Sequence, residues 1–241
     1  MPEINLKPLP PQEAINYLKS KGYNPSWNWY DMWQEDHAKA FTVAKAMRVD
    51  ILQDIKDAIA KALQEGTTLE QFKKDLTPTL QSKGWWGRQI IGDIEGAKSV
   101  LLGSPSRLRT IFNVNTQVAY QVGNYRAMID PDVLQTRPFW RYVAVNDSRT
   151  RPAHRAWSGI ILPADDPWWD THYPPNGWNC RCTAVSLSER EIQRDNYRIS
   201  KSPDDGTYEW INPKTGEIME VPIGIDPGWA YNPGKEWLKA A

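Results

Sequence analysis

The stretch from Val145 to Glu191 decides the fold, and it reads VNDSRTRPAHRAWSGIILPADDPWWDTHYPPNGWNCRCTAVSLSERE. Most of it shows little periodicity and is rich in Pro, Gly, Asp and Trp. Two runs flank that part, FWRYVAV at 139–145 and TAVSLS at 183–188. Both alternate in the manner of β-strands, in which successive side chains point to opposite faces. We therefore predict a long ordered loop, residues 146–182, between two strands.

The half of the chain before this stretch has the periodicity of helices. It predicts a short helix over residues 10–22 and a long helical segment over 26–63, where isoleucines recur every four positions near the end. A further helix is predicted from Pro105 to about Ile129, with Ser104 as its N-cap. We therefore predict that most of this half of the chain is α-helical.

Residues 76–96 connect the two long helical segments and contain several glycines. Glycines spaced in this way are typical of irregular connections. We expect the connection to carry Trp85 and Trp86 exposed to solvent or facing a partner.

Beyond the deciding stretch, TYEWINPKTGEIMEVP at 207–222 predicts a hairpin, because two alternating runs flank turn-forming Asn, Pro and Gly residues. The segment GIDPGWAYNPG at 224–234 is dense in turn residues and predicts an extended tail. Together these patterns predict an α+β fold. A helical N-terminal half (1–130) precedes a small mixed domain (131–241) with a short antiparallel sheet and a long ordered loop.

Charge and hydropathy exclude several classes of protein. The chain has 29 basic and 29 acidic residues, so it has no net attraction to DNA or to an anionic membrane. No segment approaches the roughly 18 apolar residues that span a bilayer, and the first residues lack a signal peptide pattern. We expect a soluble protein without a membrane partner that remains where it is made. The 13 Trp residues favour either protein-binding surfaces or aromatic packing.

Four potential metal ligands lie in the predicted loop: His154, His172, Cys180 and Cys182. Two imidazoles and two thiolates are the number and types of ligand that a structural Zn²⁺ site uses. The spacing is less typical, because zinc modules usually pair their ligands at both ends of the site. The two cysteines are also too close in sequence for an unstrained disulfide. A zinc site is therefore one of three interpretations of this loop.

The second interpretation is a structural network. Asp147, Arg149 and Arg151 would pin the loop through ion pairs and hydrogen bonds, and Arg181 would hold the cysteine-rich end against an aromatic filling. That filling would come from Trp157, Trp168, Trp169 and Trp178.

The third interpretation is catalytic. His154 with Asp147 and Arg149, or His172 with Asp170, would place a general base beside a cation, as in metal-independent nucleases. The sequence has no Gly-rich phosphate loop, no H-E-x-x-H and no G-x-S-x-G motif. We therefore expect that the protein is not an enzyme and assign no catalytic residue.

The same stretch resembles the phage Mu protein F-like family of minor head proteins. The matching motifs are D-x-R-T-R-x-x-H at 147–154, a W-x-G step at 157–159 and P-P-N-G-W-N-C-R-C at 174–182. The segment at 224–234 is similar to the closing motif of these proteins. The resemblance is strongest over residues 138–187.

This resemblance implies a structural protein of a phage or prophage head, present in the virion and made in the bacterial cytoplasm. It implies association with the portal protein, the scaffold or the major capsid protein during procapsid assembly, DNA packaging or ejection, with indirect contact to packaged DNA. Residues 1–130 would dock the portal or another partner. Family members are also joined to toxin modules, so one alternative is a nucleic-acid-cleaving or toxin-linked effector that uses the loop of Arg149, Arg151 and His154. The other alternative, a zinc-stapled protein-interaction module, is suggested by the two cysteines and two histidines of the loop.

Related minor capsid proteins carry a C-x-x-C after the Arg-Thr pair and a late Cys pair, a layout that resembles a zinc site. This chain departs from that layout, because Arg151 and His154 stand where the early cysteines would be. The resemblance thus implies His154, Cys180 and Cys182 as the best-matched ligands and Zn as the cofactor to test.

Overall fold

The computed structural model describes residues 11–92 and 96–240. Residues 1–10, 93–95 and 241, which some predicted segments included, lie outside the described residues. The helices are α1 (Gln12–Ser20), α2 (Asp36–Lys39), α3 (Val49–Glu65), α4 (Leu69–Ser82), α5 (Pro105–Met128), α6 (Pro131–Thr136), α7 (Pro152–Trp157), α8 (Trp168–His172), α9 (Glu189–Arg194) and α10 (Pro233–Ala240). The strands are β1 (Gly22–Tyr23), β2 (Ala40–Phe41), β3 (Arg88–Ile91), β4 (Lys98–Leu101), β5 (Phe139–Val143), β6 (Ile161–Pro163), β7 (Thr183–Leu187), β8 (Thr207–Ile211) and β9 (Ile218–Pro222). The predicted α+β class is confirmed.

Helix α3 shows why the isoleucine stripe predicted a helix. Ile51, Ile55 and Ile59 are all buried, and the helix ends where Gly66 adopts a left-handed φ of 69°. The predicted helical segment over 26–63 is confirmed for this later part. It is wrong for the part before α3.

The chain before α3 is held in turns by side chain to backbone hydrogen bonds. The carboxylate of Asp31 accepts the backbone N–H groups of Trp27 at 2.9 Å and Asn28 at 2.7 Å, and Lys45 has a left-handed φ of 68°. Such side chains compete with helical hydrogen bonds, and a left-handed residue interrupts a right-handed helix. Residues 26–48 therefore form a 3-10 turn, the short α2 and the strand β2, which pairs with β1 in parallel.

The prediction of an irregular connection over residues 76–96 is wrong. Helix α4 continues through Pro78, and β3 pairs with β4 as an antiparallel hairpin. Trp85 is buried, since its indole N–H donates to the carbonyl of Lys45 at 2.8 Å and its ring packs in the core, while Trp86 is half-buried. The glycines lie at turns between regular elements.

Helix α5 is the element that joins the two halves of the chain. The hydroxyl of Ser104 accepts the backbone N–H of Arg107 at 3.2 Å, which confirms the predicted N-cap. Helices α1, α4 and α10 and strand β7 pack along α5. At Gly123, a Cβ would lie 3.1 Å from the backbone nitrogen of Ala14, so a larger residue would push α1 away by a few tenths of an ångström.

The predicted strands β5 and β7 pair directly in an antiparallel sheet of order β6-β5-β7. Side chains of α5 fix this sheet by hydrogen bonds. The amide of Gln117 donates to the carbonyl of Cys182 at 2.8 Å, and the amide of Asn124 donates to the carbonyl of Ala184 at 2.7 Å. The sheet therefore presents the start of β7 to the central helix.

The long loop predicted between β5 and β7 is ordered, but it is not without secondary structure. It contains α7, β6 and α8. Trp157 and Trp169 are buried at 1% and 2% exposure, so these short elements pack against a shared aromatic core. Sequence periodicity could not reveal elements of three to six residues.

The predicted hairpin at 207–222 is confirmed as β8 and β9. The segment 224–234 is turn-rich as expected, but it leads into α10, which the tail prediction did not include. Asn232 caps the N-terminus of α10, because its side-chain oxygen accepts the backbone N–H groups of Gly234 and Lys235, both at 3.1 Å.

One core of buried residues draws from both sides of residue 130, including Leu108 and Trp140. The division of the chain into 1–130 and 131–241 stays a prediction about roles. Within residues 11–92 and 96–240, no helix is long and apolar enough to cross a membrane.

Candidate metal centre

Three of the four predicted ligands come together where α7 meets the turn that leads into β7. The Nδ1 atom of His154 lies 3.6 Å from the Sγ of Cys180 and 3.5 Å from the Sγ of Cys182. All three ligand atoms lie within 4.8 Å of one another. The side chains are buried, with His154 at 2%, Cys180 at 6% and Cys182 at 2% exposure. We call these three residues the HCC cluster.

Local structure explains how residues far apart in sequence reach this cluster. Pro152 occupies the first turn of α7, where its missing N–H costs nothing, and His154 follows on the buried side of that helix. On the other side, Asn179 has a left-handed φ of 56°, and the backbone N–H of Cys180 donates to the carbonyl of Gly177 at 3.1 Å. This turn brings both cysteine side chains toward α7.

A backbone carbonyl fixes the orientation of the His154 ring. The Nε2 atom lies 2.9 Å from the carbonyl oxygen of Gly224. Because a carbonyl can only accept, Nε2 must carry the proton, and in the neutral ring Nδ1 then presents a lone pair to the two sulfurs. Gly224 is required there, because its φ is 94° and a Cβ would lie 2.6 Å from the Trp157 ring.

The two thiols influence each other's ionisation through a direct contact. The pKa of Cys180 is lowered well below its ordinary value, first because the thiol of Cys182 hydrogen-bonds to it and then because of His154. The pKa of Cys182 is raised by its neighbour Cys180 and by burial. One thiolate is therefore more easily formed than two in the absence of further positive charge.

Asp147 and Arg181 form an ion pair next to the HCC cluster. The guanidinium of Arg181 donates to both carboxylate oxygens of Asp147, at 2.8 and 2.6 Å. Arg149 donates its backbone N–H to the same carboxylate at 3.0 Å and its side chain at 3.3 Å. These contacts, with Arg181 foremost, hold the pKa of Asp147 well below its usual range. This part of the predicted structural network is present.

Arg151 takes a partner that the sequence did not indicate. Its guanidinium donates to Asp226 at 2.7 Å and to the carbonyl of Trp178 at 3.2 Å. Asp226 also accepts the backbone N–H of Trp178 at 2.9 Å. Arg151 thus ties the loop to the 224–234 segment rather than to Asp147. The only sequence signal for this was the presence of Asp226 in the closing GIDPGW motif.

His172 does not join the HCC cluster. Its ring stacks on Trp168 with centroids 4.4 Å apart, and its Nδ1 lies 2.7 Å from the hydroxyl of Thr171. Its Nε2 is buried and has no hydrogen-bond partner among the described residues. Burial lowers the pKa of His172 to about 4. Asp170 pairs with Lys235 at 2.6 Å, so the predicted Asp170 and His172 dyad is not formed.

The aromatic filling of the loop is largely as predicted. Trp157, Trp168 and Trp169 are buried and make edge-to-face contacts with one another or with Tyr142. Trp178 is instead 38% exposed and packs at the surface against other rings. It belongs to a cluster that also contains Trp29, Trp33, Trp210 and Trp229.

A void of about 20 Å³ adjoins the HCC cluster. Its lining includes His154, both cysteines, Thr150 and Arg151. This volume is comparable to the space that one water molecule needs, roughly 10–15 Å³ or more. A larger cavity of about 230 Å³ lies elsewhere, between α1, α5 and the 224–234 segment.

These motifs on this fold define a protein class, that of phage Mu F-type proteins. The sequence model described as "Phage Mu protein F like protein" matches residues 53–185. The chain belongs to this family, which confirms the resemblance seen in the sequence.

Two relatives extend the match over most of the chain. One is the "Putative capsid assembly protein F" of Escherichia phage Mu, which is 46% identical over 94% of this chain and 54% of its own length. The other is the "Mu-like prophage FluMu F protein" of Haemophilus influenzae, which is 41% identical over 88% of this chain and 53% of its own length. An uncharacterized protein of Methanocaldococcus jannaschii is 25% identical over 57% of this chain and 18% of its own length. The chain thus spans about half the length of the first two relatives. No solved structure matches the chain.

Proposed function

We propose that this chain is a structural module in the assembly of a phage or prophage head. The observation that carries the proposal is the match to a phage Mu protein named for capsid assembly, which covers 94% of this chain. Nearly the whole described fold therefore has a counterpart in that protein. Because the chain spans about half of that relative, the role proposed is that of a rigid module that binds other head proteins.

Two hairpins offer apolar side chains for such binding. Ile90 in β3 is 79% exposed, and Ile211 and Ile218, which lie opposite each other in β8 and β9, are each 61% exposed. Adjacent exposed apolar side chains on a well-packed body favour a contact surface over a solvated one. We assign contacts with the portal, the scaffold or the major capsid protein to these hairpins. The β3–β4 hairpin belongs to the helical region for which portal docking was predicted.

The proposed place of the protein is the phage head, after assembly in the bacterial cytoplasm. Within the head we favour the portal as partner during procapsid assembly and DNA packaging or ejection. The equal numbers of basic and acidic residues support a contact with packaged DNA that is indirect, through other proteins.

A nuclease or toxin-linked effector is less well supported by the geometry of His154. Its ring is 2% exposed, its Nε2 is bonded to a backbone carbonyl, and the adjoining void holds about one water. A general base must reach the proton of its substrate within hydrogen-bond distance. A nucleotide has no room to do so here, and a non-enzymatic role is therefore proposed.

The test is coexpression with the portal, scaffold and major capsid proteins encoded in the same genome, followed by isolation of procapsids. We expect the protein in purified procapsids at a low, fixed copy number. Replacing Ile211 and Ile218 by Asp should remove it from the particles. Replacing Glu209 and Glu220, an exposed pair in the same hairpin, by Gln should not.

Absence of the unmodified protein from procapsids would refute the head role. Cleavage of DNA or RNA by the purified protein, lost in His154→Ala, would favour the effector instead.

A further inference from the structure

We propose that His154, Cys180 and Cys182 bind one Zn²⁺ ion as three protein ligands, and that the void beside them holds a water molecule as the fourth ligand. This site is independent of the role in head assembly.

The nitrogen-to-sulfur distances within the HCC cluster are those of a tetrahedral zinc site. With Zn–S bonds of about 2.3 Å and Zn–N bonds of about 2.0–2.1 Å, a tetrahedron places nitrogen and sulfur about 3.5 Å apart. The Nδ1 atom of His154 is 3.6 and 3.5 Å from the two sulfurs. The two sulfurs lie within 4.8 Å of each other, so the three donor atoms can complete one face of such a tetrahedron by a small approach of the sulfurs.

The tautomer and the orientation of the His154 imidazole are those of a metal ligand. The carbonyl of Gly224 accepts the proton on Nε2 and leaves the Nδ1 lone pair directed at the sulfurs. This arrangement, in which the outer nitrogen of a ligating histidine donates to a carbonyl, orients the ring and fixes the tautomer. A single lone pair can accept only one S–H, whereas a metal ion satisfies the ring nitrogen and both sulfurs at once.

The charges around the cluster are also suited to Zn²⁺. Two thiolates would offset the charge of the ion, and the nearest guanidinium groups are already paired, Arg181 with Asp147 and Arg151 with Asp226. Thiolate and imidazole ligands favour zinc over hard cations such as Mg²⁺ and Ca²⁺, which prefer oxygen. A disulfide is the poorer alternative, because one intervening residue separates the cysteines and both sulfurs face His154.

A tetrahedral zinc ion at this cluster would have a fourth coordination position that no protein ligand fills. No fourth His, Cys, Asp or Glu of the described residues joins the cluster. The adjoining void of about 20 Å³ is bordered by Thr150 and Arg151, whose polar groups can hydrogen-bond a water. The proposed site therefore has three buried protein ligands, which hold parts of the loop together, and one exchangeable water ligand.

The first experiment measures metal content. The full chain is purified without added metal under reducing conditions, and zinc is determined by elemental mass spectrometry on the folded monomer fraction. We expect about one zinc per chain. His154→Gln should lose most of this zinc, and His172→Gln, a matched change at a buried histidine outside the cluster, should keep it. Less than about half an equivalent in the unmodified protein would overturn the proposal.

The second experiment identifies the thiolate ligands by their spectroscopic signature. Zinc is replaced by Co²⁺, and the absorption spectrum is recorded. We expect intense thiolate-to-cobalt charge-transfer bands, which fall to about half in Cys182→Ser because one thiolate remains. Bands that are unchanged in Cys182→Ser would exclude this cysteine as a ligand.

The third experiment tests the open position. Cyanide added to the cobalt protein should displace the water and shift the visible d–d bands. A spectrum that does not respond to cyanide would show a closed site and overturn the water ligand.

Discussion

The HCC cluster and the cavity beneath α1 both bury polar side chains, but they satisfy them differently. At the cluster, the ring of His154 has a carbonyl partner on one nitrogen and two sulfurs on the other. In the cavity wall, the ammonium group of Lys21 is buried and donates only to the hydroxyl of Tyr17 at 3.3 Å, and no carboxylate pairs with it among the described residues.

The difference appears in the pKa of the cavity lysine. Burial, and the neighbouring Lys56, lower the pKa of Lys21 to about 7. A buried charge without an opposite charge destabilises the folded state, whereas buried groups with matched partners help to specify it. The polar contacts around His154 therefore help to specify the fold, whereas the buried charge of Lys21 beneath α1 lowers the free energy of unfolding.

The largest loss of stability is expected at Gly224, which faces the cluster. Gly224→Ala should lower the free energy of unfolding by about 3 kcal/mol, because it adds a clash with Trp157 to a left-handed backbone. Gly159→Ala is the matched control. Its φ is 98° but its surroundings are open, so we expect only about 1 kcal/mol. Equal losses for both variants in urea unfolding would mean that packing around His154 is not tight.

The next effect is a loss of stability in acid from the histidine that stands beside the cluster. The folded pKa of His172 is about 4, lowered by burial, while an unfolded histidine titrates near 6.5. The unfolded chain therefore gains the proton first as the pH falls. The contribution of neutral His172 to the free energy of unfolding is fully present above about pH 6.5, and about 3 kcal/mol of it is lost by pH 4.

The groups that face His172 are Asp205, which raises its pKa, and His154, which lowers it. His37 has a pKa lowered to about 4 by burial and acts in the same direction. Urea unfolding from pH 7 to pH 4 should thus show a shallower decline in His172→Gln. Identical slopes for the variant and the unmodified protein would show that His172 does not titrate as stated.

An effect of the opposite sign is expected beneath α1. Lys21→Met should raise the free energy of unfolding at pH 6, where the buried ammonium is charged, by about 2 kcal/mol or more, up to the roughly 5 kcal/mol to which the lowered pKa corresponds. The folded pKa of Lys21 is about 7 and the unfolded value near 10.5, so the penalty is full below pH 7 and disappears as the pH rises to 10.5. The advantage of the variant should disappear over the same range. Lys19→Met, at an exposed position of α1, is the control and should change little.

The smallest effect on stability is expected at the hairpin surface. Ile90→Lys should change the free energy of unfolding by less than about 0.5 kcal/mol, because the side chain is largely exposed. Under the proposed head role, it should nevertheless reduce incorporation into procapsids. A variant that unfolds more easily would show that Ile90 packs within the fold rather than facing a partner.

Sequence reasoning found the elements that have a strong local signal. The stripe of α3, the N-cap at Ser104 and the existence of strands β5 and β7 were predictable, because each depends on neighbours along the chain. The region before α3 was not, since Asp31 takes up backbone N–H groups that a helix would use. Trp85 was misjudged because its burial depends on the distant carbonyl of Lys45.

For the candidate site, ligand chemistry selected His154, Cys180 and Cys182 together with His172. The family resemblance already favoured the first three, but the residues alone did not separate His172 from them, because its stacking on Trp168 is a tertiary contact. Gly224 and Asp226 were missed as neighbours of the site for the same reason. Their motif was visible in the sequence, but nothing in it indicated which part of the fold they would reach.

The closing segment has a consequence for the order of events during synthesis. The carbonyl of Gly224 that orients His154 lies 70 residues farther along the chain, and Asp226 lies 75 residues beyond Arg151. A nascent chain that has made α7 and both cysteines still lacks these two contacts. The His154 ring can be locked in place only after Gly224 has left the ribosome, and Arg151 can be paired only after Asp226 has, which delays the mature form of this region until most of the described chain exists.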